Sequence, residues 1–229
     1  MQGAGRRRIG WLVFAAIVLG VAGAASWYGV QRWRPSVDRY EDQGLDVSDN
    51  DGPIDWWTVR AAGADFAYLR ATVGADTRAG RFADNWRDVH GTGMRRGALH
   101  VYSLCAPAAD QANNFNTTVP RDADALPAAV VLDFHPDCAA RPDQKLLLDD
   151  IRRFMTMVEL HTGKPMMMKL SRDFDATYHI SAGIPRPVWA MQNFFAPGYP
   201  ATPWRIWQAS DLRRVDGIAG QVDWDVVAP

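Results

Sequence analysis

Cysteine is nearly absent from this chain, with two residues, Cys105 and Cys138, among 229. So small a number excludes a cysteine-rich metal scaffold. The five histidines form no His/Cys cluster at metal-ligand spacing, so neither a metal nor another cofactor is expected. Internal repeats and low-complexity segments are missing as well. The length leaves no room for a second comfortable domain; with 48% hydrophobic residues, one sizeable core is expected. Basic charge is also lacking beyond the first stretch. Residues 1–40 hold six Arg and one Asp, a net of +5, which leaves 19 basic and 25 acidic side chains after them, a net of -6. A mildly acidic body argues against a nucleic-acid partner.

The positive end has a specific cause. Arg6, Arg7 and Arg8 precede IGWLVFAAIVLGVAGAASWYGV, residues 9–30, which carries no charge. At about 1.5 Å per residue such a run crosses a hydrocarbon core of roughly 30 Å. Trp27 and Tyr28 suit the headgroup interface, and the arginine triplet of residues 1–8 reads as a cytoplasmic segment that leaves the remainder outside. Ala22-Gly23-Ala24 resembles a signal-peptide cleavage site, so anchor and cleaved signal both stand, and both export the domain to the periplasm or cell surface. In an oxidising compartment a lone cysteine pair reads as a disulfide, here joining the ends of ALHVYSLC and AVVLDFHPDC.

Residues 31–43 are polar, contain Pro35 and lack periodicity, which predicts a linker. From residue 44 to 229, the runs LDVS, FAYLRAT, GALHVYS, AVVLDFH, PMMMKLS, PVWAMQ, RIWQAS and VDWDVV follow one another, with amphipathic stretches between the earlier ones. Strand and helix in turn imply a parallel sheet, and about eight runs imply an α/β fold of the irregular (β/α) TIM-like barrel type. The clearest helix repeats Leu147, Ile151, Phe154, Met155 and Val158 at helical spacing and stops at Gly163.

In a parallel barrel the carboxyl ends of the strands converge on one mouth. The polar residues at those ends are Asp46, Arg70, His100, Asp133, His135, Lys169, Gln208 and Asp223. Three carboxylates with aromatic neighbours, Trp56, Tyr102, Trp189, Trp207 and Trp224, suit glycoside hydrolysis, in which a carboxylic acid protonates the leaving oxygen. Candidate catalytic residues are therefore Asp133, Asp46 and Asp223. Candidate substrate-binding residues are His100, Tyr102, His135, Lys169, Trp189, Trp207 and Gln208.

The same residues carry a family resemblance. GLDVS, GPIDWWTVRAAGADFAYLRAT, RFADNW, RRGALH, ADQANNF, the ALP before the central strand, HTGKP, IWQAS and GIAGQVDWDV together resemble the lysozymes of glycoside hydrolase family 25, over residues 44–227. The resemblance implies a metal-free enzyme that cuts the β-1,4 bond between N-acetylmuramic acid and N-acetylglucosamine in peptidoglycan. It also implies an Asp-x-Glu pair at the tip of the central strand, the Glu acting as general acid. Counted without gaps from Leu126-Pro127, that pair falls on Val131 and Asp133; a register shifted by two puts it on Asp133 and His135. In neither register is the pair intact. Asp49, Val73 and Lys169 replace a His, a Glu and a Tyr usual in the family, while Asp46, Trp207, Gln208 and Asp223 are kept.

The ungapped register makes Asp133 a shortened acid, withdrawn by about 1.5 Å, where misplacement of about 1 Å can cost roughly a hundredfold in rate. Lys169 at the same mouth would favour a carboxylate over an acid. Three functions follow as expectations: a weakened muramidase on peptidoglycan strands, a pseudoenzyme that binds cell-wall glycan or an envelope partner, or a hydrolase for which Lys169 and His135 select a different glycan.

Overall fold

Alternating short apolar runs and amphipathic segments build a closed barrel in the computed structural model, which describes residues 3–229, with side chains from residue 10 onward. The chain divides into two units, Met1–Trp33 and Arg34–Pro229. The first is a single helix, α1 (Gly3–Arg32). Its segment Gly10–Arg32, 23 residues, is long and apolar enough to cross a membrane, and Trp11, Phe14 and Leu19 on it are exposed. Of the basic segment expected over residues 1–8, Met1, Gln2 and the side chains of Arg6, Arg7 and Arg8 lie outside the described residues.

In the second unit the strands are β1 (Gln43–Val47), β2 (Phe66–Val73), β3 (Thr77–Arg78), β4 (Arg95–Val101), β5 (Ala129–Leu132), β6 (Met167–Ser171), β7 (Val188–Met191), β8 (Trp204–Arg213) and β9 (Val222–Val227). The helices between them are α2 (Trp56–Ala61), α3 (Phe82–Gly91), α4 (Ala108–Thr118), α5 (Gln144–Thr162), α6 (Arg172–Tyr178) and α7 (Ile180–Gly183). Seven strands, β1, β2, β4, β5, β6, β7 and β8, pair in parallel in that order, and β9 closes the ring between β8 and β1. β3 adds a short hairpin to the end of β2.

The expected all-parallel sheet fails at the last strand, because β9 runs antiparallel to both neighbours. A parallel crossover needs a dozen or more residues, and residues 214–221 are too few. The reversal carries the start of β9, rather than its end, to the mouth, with Asp223 paired in register to Asp46.

Side chains alternate along each strand. One set, Phe66, Tyr68, Leu99, Ala129, Met167, Trp189 and Ile206, fills the barrel. Gly97 makes this possible, since a Cβ there would stand 2.2 Å from the ring of Tyr68. The other set faces the helices, where α5 buries Leu147, Ile151, Phe154, Met155 and Val158 and ends at Gly163 in the left-handed region, φ 73°. Residues 34–42, expected as a linker, pack on the barrel instead. Gln43 ties them down: its side-chain amide donates to the carbonyls of Pro35 and Tyr40, both at 3.0 Å, and its Oε1 accepts the indole N–H of Trp224. The Tyr40 ring lies on Trp204 and Trp207.

Candidate active site

The carboxyl-terminal ends of β1, β2, β4, β5, β6 and β7, with the start of β9, surround a cleft of about 200 Å³. Asp46, Arg70, Val131, Asp133, Phe134, His135, Lys169, Met191 and Asp223 line it. The three sequence-proposed carboxylates, Asp46, Asp133 and Asp223, therefore meet in one cleft with Lys169 and His135. Ala129 and Val131 pack on the barrel interior, so Asp133, two residues further, faces the same way. Val131, Asp133 and His135 all line the cleft, so both the ungapped pair, Val131 and Asp133, and the pair shifted by two, Asp133 and His135, face it.

The loop carrying Asp133 and His135 is fixed at both ends. Asp133 Oδ1 accepts the N–H of Phe134 at 2.8 Å, and the N–H of Cys138 donates to the carbonyl of His135 at 3.1 Å. Cys138 is joined to Cys105 by a disulfide with Cα atoms 5.9 Å apart across 33 residues, as the lone pair of cysteines implied. Phe134 packs on Phe174 and Tyr178 beneath an Arg141 guanidinium 4.2 Å from its ring.

Lys169 is the centre of the site's charge. Val131 and Lys169 are register partners on adjacent strands, so the cation stands beside an apolar residue. Its Nζ donates to Asp46 Oδ2 at 2.5 Å and to Asp223 Oδ2 at 2.9 Å, and it lies 4.9 Å from the Trp189 ring. The Lys169 side chain is 3% exposed, Asp46 9% and Asp223 31%. Burial alone would lower the lysine pKa; the carboxylates of Asp223, Asp46 and Asp225 outweigh it and hold the ammonium charged. Burial pushes Asp46 up to about 6, with Lys169 acting in the opposite sense. The expectation that Lys169 acts on Asp133 is corrected by this arrangement: among the described residues its ion pairs are with Asp46 and Asp223.

Below this triad sits a residue that the sequence reading missed. Asp225 is fully buried and accepts the Trp189 indole N–H at 2.9 Å. Burial, then the charge of Asp46, raises its pKa well above the usual carboxylate range. Its spacing of two from Asp223 was the available signal, because alternate residues share a face. Arg70, which appeared among the strand ends but not among the chosen site residues, lines the wall beside Asp46.

Several chosen residues lie elsewhere. His100 points away from the barrel interior into the helix layer, stacked on Phe154 at 4.7 Å, with Nδ1 2.7 Å from Thr72 Oγ1 and Nε2 3.2 Å from Gln111 Oε1. Burial lowers its pKa to about 4 and keeps it neutral. Tyr102 is buried edge-on against the same Phe154. Trp207 faces outward onto Tyr40 and Trp204, donating its indole N–H to the carbonyl of Gln192. Trp189 and Gln208 are buried in the barrel below the cleft, and Trp56 and Trp224 are buried outside it. These aromatics build the core; Phe134 is the aromatic that lines the cleft.

Asp49 has a structural job, accepting the N–H groups of Gly80 and Arg81 at 2.6 and 3.1 Å. At the opposite end of the strands lies a more apolar cavity of about 360 Å³, lined by Phe66, Tyr68, Met167 and Ile206 with Asp42, Arg95 and Arg205 among its polar groups.

Comparison with known proteins agrees with this geometry. A family model described as glycosyl hydrolases family 25 matches residues 45–218. The Escherichia coli protein YegX is 29% identical over 194 residues, 82% of this chain and 70% of its own. Lysozyme M1 of Streptomyces globisporus is 29% identical over 196 residues, 79% of this chain and 66% of its own. Among solved structures, a family 25 glycosyl hydrolase from Bacillus anthracis is similar with a TM-score of 0.78 at 26% identity, covering 85% of this chain and 92% of that one. The bacterial lysozyme of Streptomyces coelicolor gives a TM-score of 0.75 at 27% identity, covering 82% and 92%. With a family model matching three quarters of its length and a barrel mouth gathering Asp46, Asp133 and Asp223, the chain belongs to the glycosyl hydrolases family 25.

Proposed function

We propose that the barrel is a peptidoglycan hydrolase of the lysozyme (muramidase) type with weakened turnover, in which Asp133 is the general acid. The reaction class is that of the family and of the lysozymes it resembles. The observation that carries the residue assignment is the convergence of Asp133, Asp46 and Asp223 on one cleft. Asp133 protonates the leaving oxygen as the bond to the anomeric carbon breaks. The substrate's own acetamido oxygen supports that carbon, and water later completes hydrolysis. Asp46 and Asp223 accept the acetamido N–H or face the developing positive charge in this reading, which their position in the cleft beside Asp133 supports.

Two features support weakened turnover. Asp133 is one methylene shorter than a Glu, and Val131 carries no charge beside it. Lys169 neutralises the two carboxylates that would stabilise a cationic transition state. The same ion pairs favour a second reading, a pseudoenzyme that binds glycan or an envelope partner without cutting it. The apolar helix, the arginine triplet and the disulfide support a membrane-anchored or exported domain outside the cytoplasm, acting on peptidoglycan there.

Release of new reducing ends from purified peptidoglycan tests the assignment. Asp133→Asn should lower turnover by about 10²- to 10⁴-fold, the usual worth of a general acid. Asp133→Glu combined with Val131→Asp should raise it above wild type. Turnover that survives Asp133→Asn unchanged would remove Asp133 from the acid role. Turnover that appears only in the double variant would establish the pseudoenzyme.

A further inference from the structure

The cavity at the amino-terminal end of the strands takes no part in the glycan chemistry, yet at about 360 Å³ it is roomier than the cleft of about 200 Å³. Small-molecule pockets begin at about 300 Å³. Its floor is formed by Phe66, Tyr68, Met167 and Ile206, all buried. Below the rim the polar groups are already spent. The Tyr68 hydroxyl donates to the carbonyl of Pro127 at 3.0 Å, and the lining carbonyls of Asp42, Pro187 and Arg205 accept the N–H groups of Val227, Met168 and Ala228. A polar body would lose its water here and gain few partners, so the space favours an aliphatic one.

The rim is charged, with one sign in excess. Its charged groups are Asp42, Arg95 and Arg205, and Asp42 is paired with Arg95 at 2.6 Å, which leaves the exposed Arg205 guanidinium as the net charge. Lys164, next to Pro165 of the lining, gives its ammonium to the backbone carbonyls of Ala123 and Ala125, so a second positive charge stands near that end. An aliphatic body with one anionic end matches both floor and rim. The chain also carries Gly10–Arg32, long and apolar enough to cross a membrane, which makes acyl chains the aliphatic molecules it would meet. We infer that this cavity binds a free fatty acid, with its carboxylate at Arg205 and its tail against Phe66, Met167 and Ile206. At about 30 Å³ for each small group, the space takes roughly twelve of them, the size of decanoate. The second chain of a phospholipid has no place there. The inference is independent of the glycan reading.

The probe is decanoate carrying a diazirine in its chain, irradiated at neutral pH with the full-length protein in phosphatidylcholine nanodiscs, with the labelled residues mapped by mass spectrometry. Adducts should appear on Phe66, Met167 or Ile206. Unlabelled decanoate should displace them at least about tenfold more effectively than decylamine, the worth of one charge-assisted contact. Arg205→Glu, at an exposed position, should lower cavity labelling about tenfold and erase the preference for decanoate. Labelling confined to α1 would overturn the inference, because it reports contact with the bilayer alone. Equal displacement by decylamine would overturn it as well. So would equally strong cavity labelling by a phosphatidylglycerol with the same diazirine in one chain. Ile206→Trp, which fills the cavity, should abolish the cavity adducts and leave those on α1. Adducts that persist on Phe66 and Met167, in protein with a wild-type circular dichroism spectrum, would contradict the assignment to this cavity.

Discussion

The two ends of one barrel are made from the same strands and have opposite chemistry. At the amino-terminal end, β2, β6 and β8 present Phe66, Met167 and Ile206 inward around an apolar cavity. At the carboxyl-terminal end, β2, β5 and β6 present Arg70, Asp133 and Lys169, with Asp46 and Asp223 beside them. The apolar end and the layer above it supply burial, while the mouth places a buried lysine and carboxylates that cost desolvation. The stability of this domain therefore resides in one end and its chemistry in the other. Substitutions should separate the two.

The largest stability effect is expected at the apolar end. Phe66→Ala removes a ring packed edge-on against Tyr68 and should cost about 3 to 5 kcal/mol in urea unfolding. Its affinity for tri-N-acetylchitotriose should not change while it remains folded. A loss of affinity matching the loss of stability would show that the two ends are coupled.

The disulfide crosses the divide. Replacing Cys105 and Cys138 by Ser should lower stability by about 3 to 4 kcal/mol in the chain-entropy model for a separation of 33 residues. Because the released loop carries Asp133 and His135, reducing-end release should fall as well, at temperatures where the barrel is still folded. Unchanged turnover would separate the loop's covalent tie from the placement of the acid.

A smaller effect distinguishes the helix layer from both ends. His100 is neutral in the folded protein, its pKa lowered by burial to about 4 from an ordinary 6.5. A depressed value means that the unfolded chain takes up the proton first, so stability is present above about pH 6.5 and is lost as pH falls towards 4. The loss should approach about 3 kcal/mol. Asp46 works in the opposite direction: its folded pKa of about 6 lies above the ordinary 3.8, so its contribution is present in acid and lost as pH rises through 6. His100→Gln should therefore remove most of the acid-side loss measured by urea unfolding at pH 7 and pH 4. A slope that persists in this variant would assign it to another group.

The sequence made the barrel legible because α5 and the central strands carry strong periodicity, and because strand ends in a parallel barrel converge by topology. It left side-chain parity open. In ALHVYS or RIWQAS both faces are buried, one by the core and one by helices or loops, so hydropathy does not say which alternate residues face inward. His100 and Tyr102 turned out to share the outer face, while Leu99 and Val101 reach the cleft. Trp207 and Gln208 are neighbours on one strand and could not both have faced the mouth. The direction of β9 was equally hidden, since VDWDVV alternates in the same way read from either end. The partners of Lys169 depended on that direction.

The reversed last strand has one further consequence. Gln43 and Val226 are register partners, and the N–H of Val227 donates to the carbonyl of Asp42 at 2.9 Å. The entry and exit of the barrel are thus adjacent, at the end away from the cleft. A few residues would splice them into a continuous loop, and new termini could be opened between α3 and β4 without disturbing the ring of strands. The domain is in this sense a circle cut at an arbitrary point, which a circularly permuted version could carry into any fusion with its cleft left open.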